Sequence, residues 1–172
     1  ILKQLSEGYR KIRNTARFIL GNIYDFDPNT DMVDNDKLYD IDKYALMLTN
    51  DLIKKVNEAY DNFEYHIIYH AIHNFCVVDM SNFYLDILKD RLYVEKSDSF
   101  ARRCAQTTIY KILDALTLML APILAFTADE IWGHMPHTAD RNVENIIFND
   151  MPKTDIIAND EAIKNRYTEL EI

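Results

Sequence analysis

Apolar residues recur every three or four positions in the first part of the chain and predict an amphipathic helix from about Gln4 to Asn22. A period near 3.6 residues places these side chains on one face, which we expect to be buried. The stripe consists of Leu5, Tyr9, Ile12, Ala16, Ile19 and Ile23. Gly21 and Asn22 are residue types that suit the end of a helix.

The same period predicts three more long helices. We expect the second from about Asp40 to Asn62, the third from about Glu64 to Leu88, and the fourth from near Asp98 to just before Pro122. The inward positions of the third are Ile68, Ile72, Phe75, Val78 and Leu85. Those of the fourth are Ile109, Ile112, Leu116 and Leu120.

Shorter segments connect and follow these helices. Residues 24–39 are rich in Asp and Asn and predict an irregular connector. Thr127 followed by Glu130 predicts a capping box at the start of a fifth helix, which ends near Gly133. We expect a possible short strand at Ile146–Phe148 and a last helix from Glu161 to the end. The predicted fold is all-α: an antiparallel bundle of four long helices with shorter C-terminal helices.

Composition agrees with one helical domain. The chain has 172 residues, 48% of them hydrophobic, but only three Gly and four Pro, which disfavours a fold with many tight turns. Cys76 and Cys104 lie in apolar surroundings without metal-ligand spacing, so we expect buried, reduced thiols. No apolar run reaches the roughly 18 residues of a membrane span. We therefore expect a cytoplasmic protein that does not contact membranes.

Charge is distributed unevenly along the chain. The net charge is −9, which is unusual for a nucleic-acid-binding domain. However, residues 1–17 contain five basic residues and one acidic residue, whereas residues 25–42 contain seven aspartates and one lysine. On the first helix, Arg10, Arg13, Asn14 and Arg17 share a face beside the apolar stripe. This face indicates either contact with RNA or another polyanion, or an ordinary solvated surface.

Further basic residues lie where two helices end or begin. Lys89 and Arg91 follow the third helix, where cations favour the negative end of the helix dipole. Arg102 and Arg103 lie at the start of the fourth helix, where the dipole favours acids instead. That mismatch is a weak indication of a binding partner.

Other constellations favour no catalytic site. His66, His70 and His73 share a helix face, but no carboxylate or cysteine stands at ligand spacing, so ordinary histidines are the preferred interpretation. The aspartate-rich residues 25–42 suggest calcium binding, but the loop Asp31–Asp42 lacks the central Gly and final Glu of a calcium-binding loop, so we expect a solvated acidic loop. There is no glycine-rich phosphate-binding loop.

Several segments resemble, in order, the anticodon-binding domain of bacterial-type isoleucyl-tRNA synthetases, which are class I enzymes. The first, Tyr9–Asn22, reads YRKIRNTARFILGN and resembles the first helix of that domain. The others are Phe83–Asp86 with Lys89–Tyr93, Leu120–Leu124 with Thr127–Trp132, and Asp150–Pro152. The Leu-Ala-Pro and Glu-Ile-Trp elements are similar in valyl, leucyl and methionyl relatives, whereas the Arg-Lys-Ile-Arg-Asn-Thr and Lys-Asp-Arg-Leu-Tyr elements are more specific.

The resemblance implies a bundle that binds the anticodon stem and loop of isoleucine tRNA. It implies a fragment in which residues 1–152 form the bundle and residues 153–172 begin the next segment. ATP with magnesium, and zinc, are expected only in the parent enzyme, and the catalytic domain of the same parent chain is an expected partner. We expect a monomer without cofactor, metal site or catalytic residues. The candidate tRNA-binding residues are Arg10, Lys11, Arg13, Asn14, Arg17, Lys89, Arg91, Arg102 and Arg103.

Two other interpretations remain open at this point. One is a helical protein-interaction domain that docks an acidic partner through the basic stripe of the first helix. The other is a metal-dependent enzyme that uses the histidine row. Salt-dependent binding to tRNA separates the first from RNA binding, and metal analysis tests the second.

Overall fold

The computed structural model describes residues 2–158 and 160–168 and confirms the all-α bundle. Its helices are α1 (Leu2–Asn22), α2 (Asp40–Asp61), α3 (Tyr65–Asn74), α4 (Leu85–Ile87), α5 (Lys89–Tyr93), α6 (Phe100–Leu120), α7 (Ala125–His134) and α8 (Asp160–Thr168). A π-helical segment, Phe75–Tyr84, joins α3 to α4, and short 3₁₀ turns lie at Asn35–Lys37 and Ile146–Phe148. The possible strand at Ile146–Phe148 was therefore a wrong prediction, and the described residues contain no strand. The predicted continuation of the last helix beyond residue 168 lies outside the described residues.

The apolar stripe of α1 packs into the bundle as its spacing predicts. Ile12, Ala16, Ile19 and Ile23 are buried in the main hydrophobic core. Leu5 departs from the prediction because it is 49% exposed, near the start of the helix. The periodicity therefore fixes which side of α1 faces solvent over the part that carries Arg10 to Arg17.

Helix α6 is the central helix of the bundle and packs against α1, α2, α5 and α7. Almost all of its side chains are buried, including polar ones. The hydroxyls of Thr108 and Thr117 donate to the backbone carbonyls of Cys104 and Leu113. These hydrogen bonds offset part of the free-energy cost of burying polar groups. Tyr60 of α2 donates to the carbonyl of Met119 at 2.7 Å and ties α2 to the end of α6.

The third predicted helix is helical throughout but changes its winding. In Phe75–Tyr84 the main chain forms wider turns, and Leu85 N–H donates to the carbonyl of Met80, five residues back. Wider turns shift which positions face inward, so Met80 is buried and Val78 is 47% exposed. The predicted inward position of Val78 was wrong for this reason.

The predicted capping box on the fifth helix was also wrong. Helix α7 begins at Ala125, with Leu124 in the N-cap position. Thr127 lies within the first turn, and its hydroxyl forms a 3.0 Å hydrogen bond with the hydroxyl of Tyr9. The threonine therefore links α7 to α1 and does not cap its own helix.

The residues that follow Pro152 fold back onto α2. Asp155 pairs with Lys111 at 2.9 Å and exchanges hydrogen bonds with Asn50. Ile163 of α8 packs in a small cluster with Tyr44 and Met47. The proposed domain boundary after residue 152 stays a prediction.

Both cysteines are buried and not joined in a disulfide, as the sequence predicts. Burial raises the pKa of Cys76 to about 12 and that of Cys104 to about 11. Both thiols are therefore protonated and unreactive near neutral pH.

Within the described chain, no helix combines the length and the apolar character needed to cross a bilayer.

Candidate nucleic-acid interface

The basic face of α1, defined here as Arg10, Lys11, Arg13, Asn14 and Arg17, is exposed along its whole length. It is exposed because the buried stripe fixes the opposite side of the helix against the core. Arg13 lies 3.7 Å from Glu130 of α7, and both side chains are 58% exposed. Arg10, Lys11 and Arg17 have no ion pair with any residue in the described part of the chain. Such a surface has positive charge available for an anionic partner.

A groove of about 230 Å³ runs between this face and α7. The Tyr9–Thr127 hydrogen bond links the two helices, and the exposed Arg13–Glu130 pair bridges them at 3.7 Å. It is lined by Arg13, Asn14, Arg17, Leu20, Thr127, Glu130, Ile131 and His134. Guanidinium, amide and hydroxyl groups around an apolar floor can bind phosphate and sugar groups of a nucleic acid.

The other four candidate residues lie around the start of α6, and each already has an ion-pair partner. They are Lys89, Arg91, Arg102 and Arg103. Lys89 is exposed and pairs with Asp86 at 2.6 Å. Arg91 binds both carboxylate oxygens of Asp42 at 2.7 and 2.8 Å and also donates to the carbonyl of Ala101. Arg91 and Asp42 are 49 positions apart in the chain, so it is the fold that brings them together.

Asp42 is the centre of a buried polar cluster. Its side chain is fully buried, and it accepts hydrogen bonds from Arg91 and from the hydroxyl of Tyr84 at 2.7 Å. Burial and the neighbouring carboxylate raise the pKa of Tyr84 well above its ordinary value. Burial works to lower the pKa of Arg91, but its hydrogen bonds and charge interaction with Asp42 outweigh burial and raise it. Hydrogen bonds from Arg91 and Tyr84 therefore satisfy both carboxylate oxygens of Asp42.

Arg102 and Arg103 bind the aspartate-rich connector. Arg102 has a 5% exposed side chain and donates to Asp25 and to the carbonyl of Leu92, both at 2.7 Å. Arg103 donates to the carbonyl of Asp25 and to Gln106, and it lies 3.4 Å from Asp31. Burial works to raise the pKa of Asp25, yet hydrogen bonds from Arg102 and Gln106 lower it overall. Asp25, Asp31 and the Leu92 carbonyl explain why two arginines lie at the start of α6, where the helix dipole alone would favour acids.

Sequence reasoning did not find the acidic partners of these arginines. It treated residues 25–42 as a solvated loop, whereas Asp25, Asp31 and Asp42 bind arginines in the fold. A signal was present, because acidic and basic residues are sorted into different segments, and sorted charges can pair across a fold.

Sequence reasoning also passed over Tyr24. This residue lies two positions beyond the end of α1, and its ring is 80% exposed, with the guanidinium of Arg102 6.0 Å from its centre. An exposed aromatic ring beside an arginine is a surface on which an unpaired base can stack.

The histidine row lies elsewhere. His66, His70 and His73 line a groove between α2 and α3 together with Asp51 and Lys55. Over residues 2–158 and 160–168, no three His, Cys, Asp or Glu side chains are grouped so that they could hold a metal ion.

The amino-acid sequence is similar to a known protein family and to several known proteins. The sequence model of the family described as "Anticodon-binding domain of tRNA ligase" matches residues 42–171. Proteins named isoleucine–tRNA ligase from Syntrophotalea carbinolica and Desulforamulus reducens are each 52% identical over 170 residues, which is 99% of this chain and 18% of theirs. The namesake from Caldanaerobacter subterraneus is 55% identical over 153 residues, 89% of this chain and 16% of its own. The chain thus spans less than a fifth of the length of these relatives.

Proposed function

The chain belongs to the family of anticodon-binding domains of tRNA ligases, and we propose that it binds the anticodon stem and loop of isoleucine tRNA through the basic face of α1. The observation that carries this proposal is the exposure of Arg10, Lys11 and Arg17, which have no ion pair within the described chain. Support for isoleucine tRNA comes from relatives named isoleucine–tRNA ligase that match 99% of the chain.

The nine candidate residues divide into two roles in this proposal. The basic face of α1 touches phosphates and riboses, and Asn14 adds amide hydrogen bonds in the groove beside α7. Lys89 is exposed and adds positive charge at the edge of the RNA. Arg91, Arg102 and Arg103 act mainly by holding the end of the bundle in shape, because carboxylates and backbone carbonyls already accept hydrogen bonds from each of them.

The parent protein, in this proposal, joins isoleucine to its tRNA at the expense of ATP. ATP with magnesium, and zinc, belong to other parts of that protein, and the catalytic domain of the parent chain is a partner of this bundle. The bundle itself is monomeric and works in the cytoplasm. Its part is positional: a fixed grip on the anticodon end sets where the acceptor end of the tRNA reaches.

A filter-binding titration tests the proposal directly. Isoleucine tRNA is titrated against an unrelated tRNA at several salt concentrations, with the 172-residue chain and its Arg17→Ala variant. We expect tighter binding of isoleucine tRNA, and for Arg17→Ala a slope of log affinity on log salt that is smaller by somewhat under one unit. Lys54→Ala is the matched control, since Lys54 is exposed on α2, away from the basic face.

Three outcomes decide between the parts of the proposal. Equal affinity for both tRNAs would reject isoleucine tRNA as the preferred partner. An unchanged salt slope for Arg17→Ala would reject this residue as a phosphate contact. Equal losses in Arg17→Ala and Lys54→Ala would show a general charge effect and would reject the basic face of α1 as the site.

A further inference from the structure

The chain has only three glycines, all of them in helices, and one has an evident packing role. Gly8 lies where α1 passes α3, and a Cβ atom there would overlap the hydroxyl of Tyr69. A side chain at this position would require the Tyr69 ring to move, and a ring carbon of His73 lies 3.3 Å from the added Cβ atom. The packing of α1 against α3 therefore favours glycine at position 8.

Gly21 has no such role. It lies in the last turn of α1 and is exposed, and a Cβ atom added there would meet nothing within 4 Å. Its φ is not positive, so it does not form the left-handed cap for which glycine is favoured. Glycine is less favourable than alanine in a helix, because it loses more backbone freedom on folding. The fold thus gains nothing from glycine at this position.

The place of Gly21 on the helix connects it with the basic face of α1. It follows Arg17, Asn14 and Arg10 by four, seven and eleven residues, so all four positions share one side of a 3.6-residue helix. Gly21 is therefore a position in this face without a side chain, and the space beside it is open.

We propose that Gly21 is the point at which the ribose–phosphate backbone of the bound RNA packs directly against the main chain of α1. The inference rests on the function proposed above. Glycine is the residue that lets a ligand approach the protein backbone most closely. In the last turn of α1, the carbonyls of Leu20 and Asn22 accept hydrogen bonds from the Ile23 N–H and from Gln106, whereas the Gly21 carbonyl accepts none within the described residues and carries partial negative charge. This carbonyl suits a ribose 2′-hydroxyl donor, while the phosphates on either side lie toward Arg17 and Arg13.

Gly133 provides a matched control. It too lies in the last turn of a helix, α7, is exposed, lacks a positive φ and would have nothing within 4 Å of an added Cβ atom. However, it follows Asp129 and Phe126 by four and seven residues, so its side of α7 carries an acid instead of cations. Alanine at both positions should stabilise the helices similarly and differ only toward RNA.

The test measures thermal unfolding and affinity for an isoleucine tRNA transcript in Gly21→Ala, Gly21→Gln, Gly133→Ala and Arg17→Ala. Both alanine variants of glycine should raise the melting temperature by about 2 °C. Affinity should fall about threefold in Gly21→Ala and about tenfold in Gly21→Gln, and should not change in Gly133→Ala. A protein that gains stability while losing affinity cannot be explained by damage to the fold.

The result also separates this inference from the proposed function. If Arg17→Ala weakens binding and both Gly21 variants bind like the unchanged protein, the close approach at Gly21 is wrong and the basic face remains the site. If Gly21→Ala lowers the melting temperature, glycine is needed by the fold and the inference is wrong. If the unchanged chain does not bind the transcript, the proposed function fails and the inference with it.

Discussion

Two groups of basic residues in this bundle look alike in sequence but differ in the partners that the fold brings to them. On α1, Arg10, Lys11 and Arg17 face solvent without an ion pair in the described chain. At the start of α6, Arg102 is buried and donates to Asp25 and to the Leu92 carbonyl. Nearby, Arg91 of α5 donates to Asp42 of α2. Asp86, Asp90, Glu95 and Asp98 lie near the second group in sequence, yet its arginines pair with distant aspartates.

The difference teaches that the fold, and not local charge density, decides which arginines have donors available for a partner. A guanidinium that already donates to a buried carboxylate would have to break that pair before it could bind phosphate, which costs several kcal/mol. An exposed, unpaired guanidinium gives up only water and counterions. The four predictions that follow test whether the two groups really divide stability and binding between them.

The largest effect is expected from Asp42→Ala. This change leaves the charge of Arg91 buried without its partner and removes the acceptor of Tyr84, so the free energy of unfolding should fall by about 3–5 kcal/mol. Urea unfolding followed by circular dichroism measures it. Asp51→Ala is the control, because the half-exposed Asp51–Lys164 pair should contribute less than about 1 kcal/mol. Equal losses in the two variants would contradict a special role for the buried cluster.

The next effect concerns binding. In a triple variant with Ala at positions 10, 13 and 17, affinity for isoleucine tRNA should fall by about two orders of magnitude at moderate salt, because up to three phosphate contacts are lost. The free energy of unfolding should stay nearly unchanged, since these side chains are exposed. Filter binding and urea unfolding on the same samples measure both. A large loss of stability would place these residues with the structural group.

A moderate effect is expected from pH. The folded pKa of Asp25 lies below its ordinary value of 3.8, so its contribution to stability is complete above that pH and is lost as pH falls through the folded pKa. Asp25→Asn should therefore lower the free energy of unfolding by about 2 kcal/mol at neutral pH and by less at about pH 3. Urea unfolding at the two pH values gives the comparison. A difference that does not shrink in acid would mean that the charge of Asp25 is not what stabilises the pair.

The smallest effect is expected from Glu130→Gln. Glu130 is the acidic residue in the groove beside the basic face, and its pair with Arg13 is exposed. Removing its charge should raise affinity for isoleucine tRNA by about twofold and leave stability unchanged. Asp129→Asn is the control, because Asp129 is the neighbouring exposed acid and does not line the groove. Weaker binding in Glu130→Gln would mean that Glu130 orients Arg13 toward the RNA.

The sequence predicts much of the fold because most of its helices are long and regularly amphipathic. Periodicity alone places Ile12, Ile19 and Ile109 in the core and leaves Arg10 and Arg17 exposed. It fails where a tertiary contact competes with a local rule. Thr127 matches a capping box, but its hydroxyl binds Tyr9, which is 118 positions away in the chain.

The residues of the candidate site can be predicted from the sequence only where helical periodicity shows that a side chain lies on the exposed face. Arg102 and Asp25 lie 77 positions apart, and no local pattern indicates that they meet. Arg102 therefore resembles Arg17 in sequence although their surroundings are opposite. The open gap at Gly21 likewise becomes meaningful only once packing is known, because Gly8 shares its helix and is fully explained by Tyr69.

The π-helical segment has a consequence for how insertions and deletions are tolerated in this family. Its turns hold more residues than α-helical turns, so loss of a residue within Phe75–Tyr84 can be absorbed by tighter winding, with the helix beyond it keeping its direction. The same loss in α6 would rotate every later side chain by about 100° and carry the buried face of that helix into solvent. Changes in length during evolution should therefore accumulate near Met80 and be excluded from the central helix.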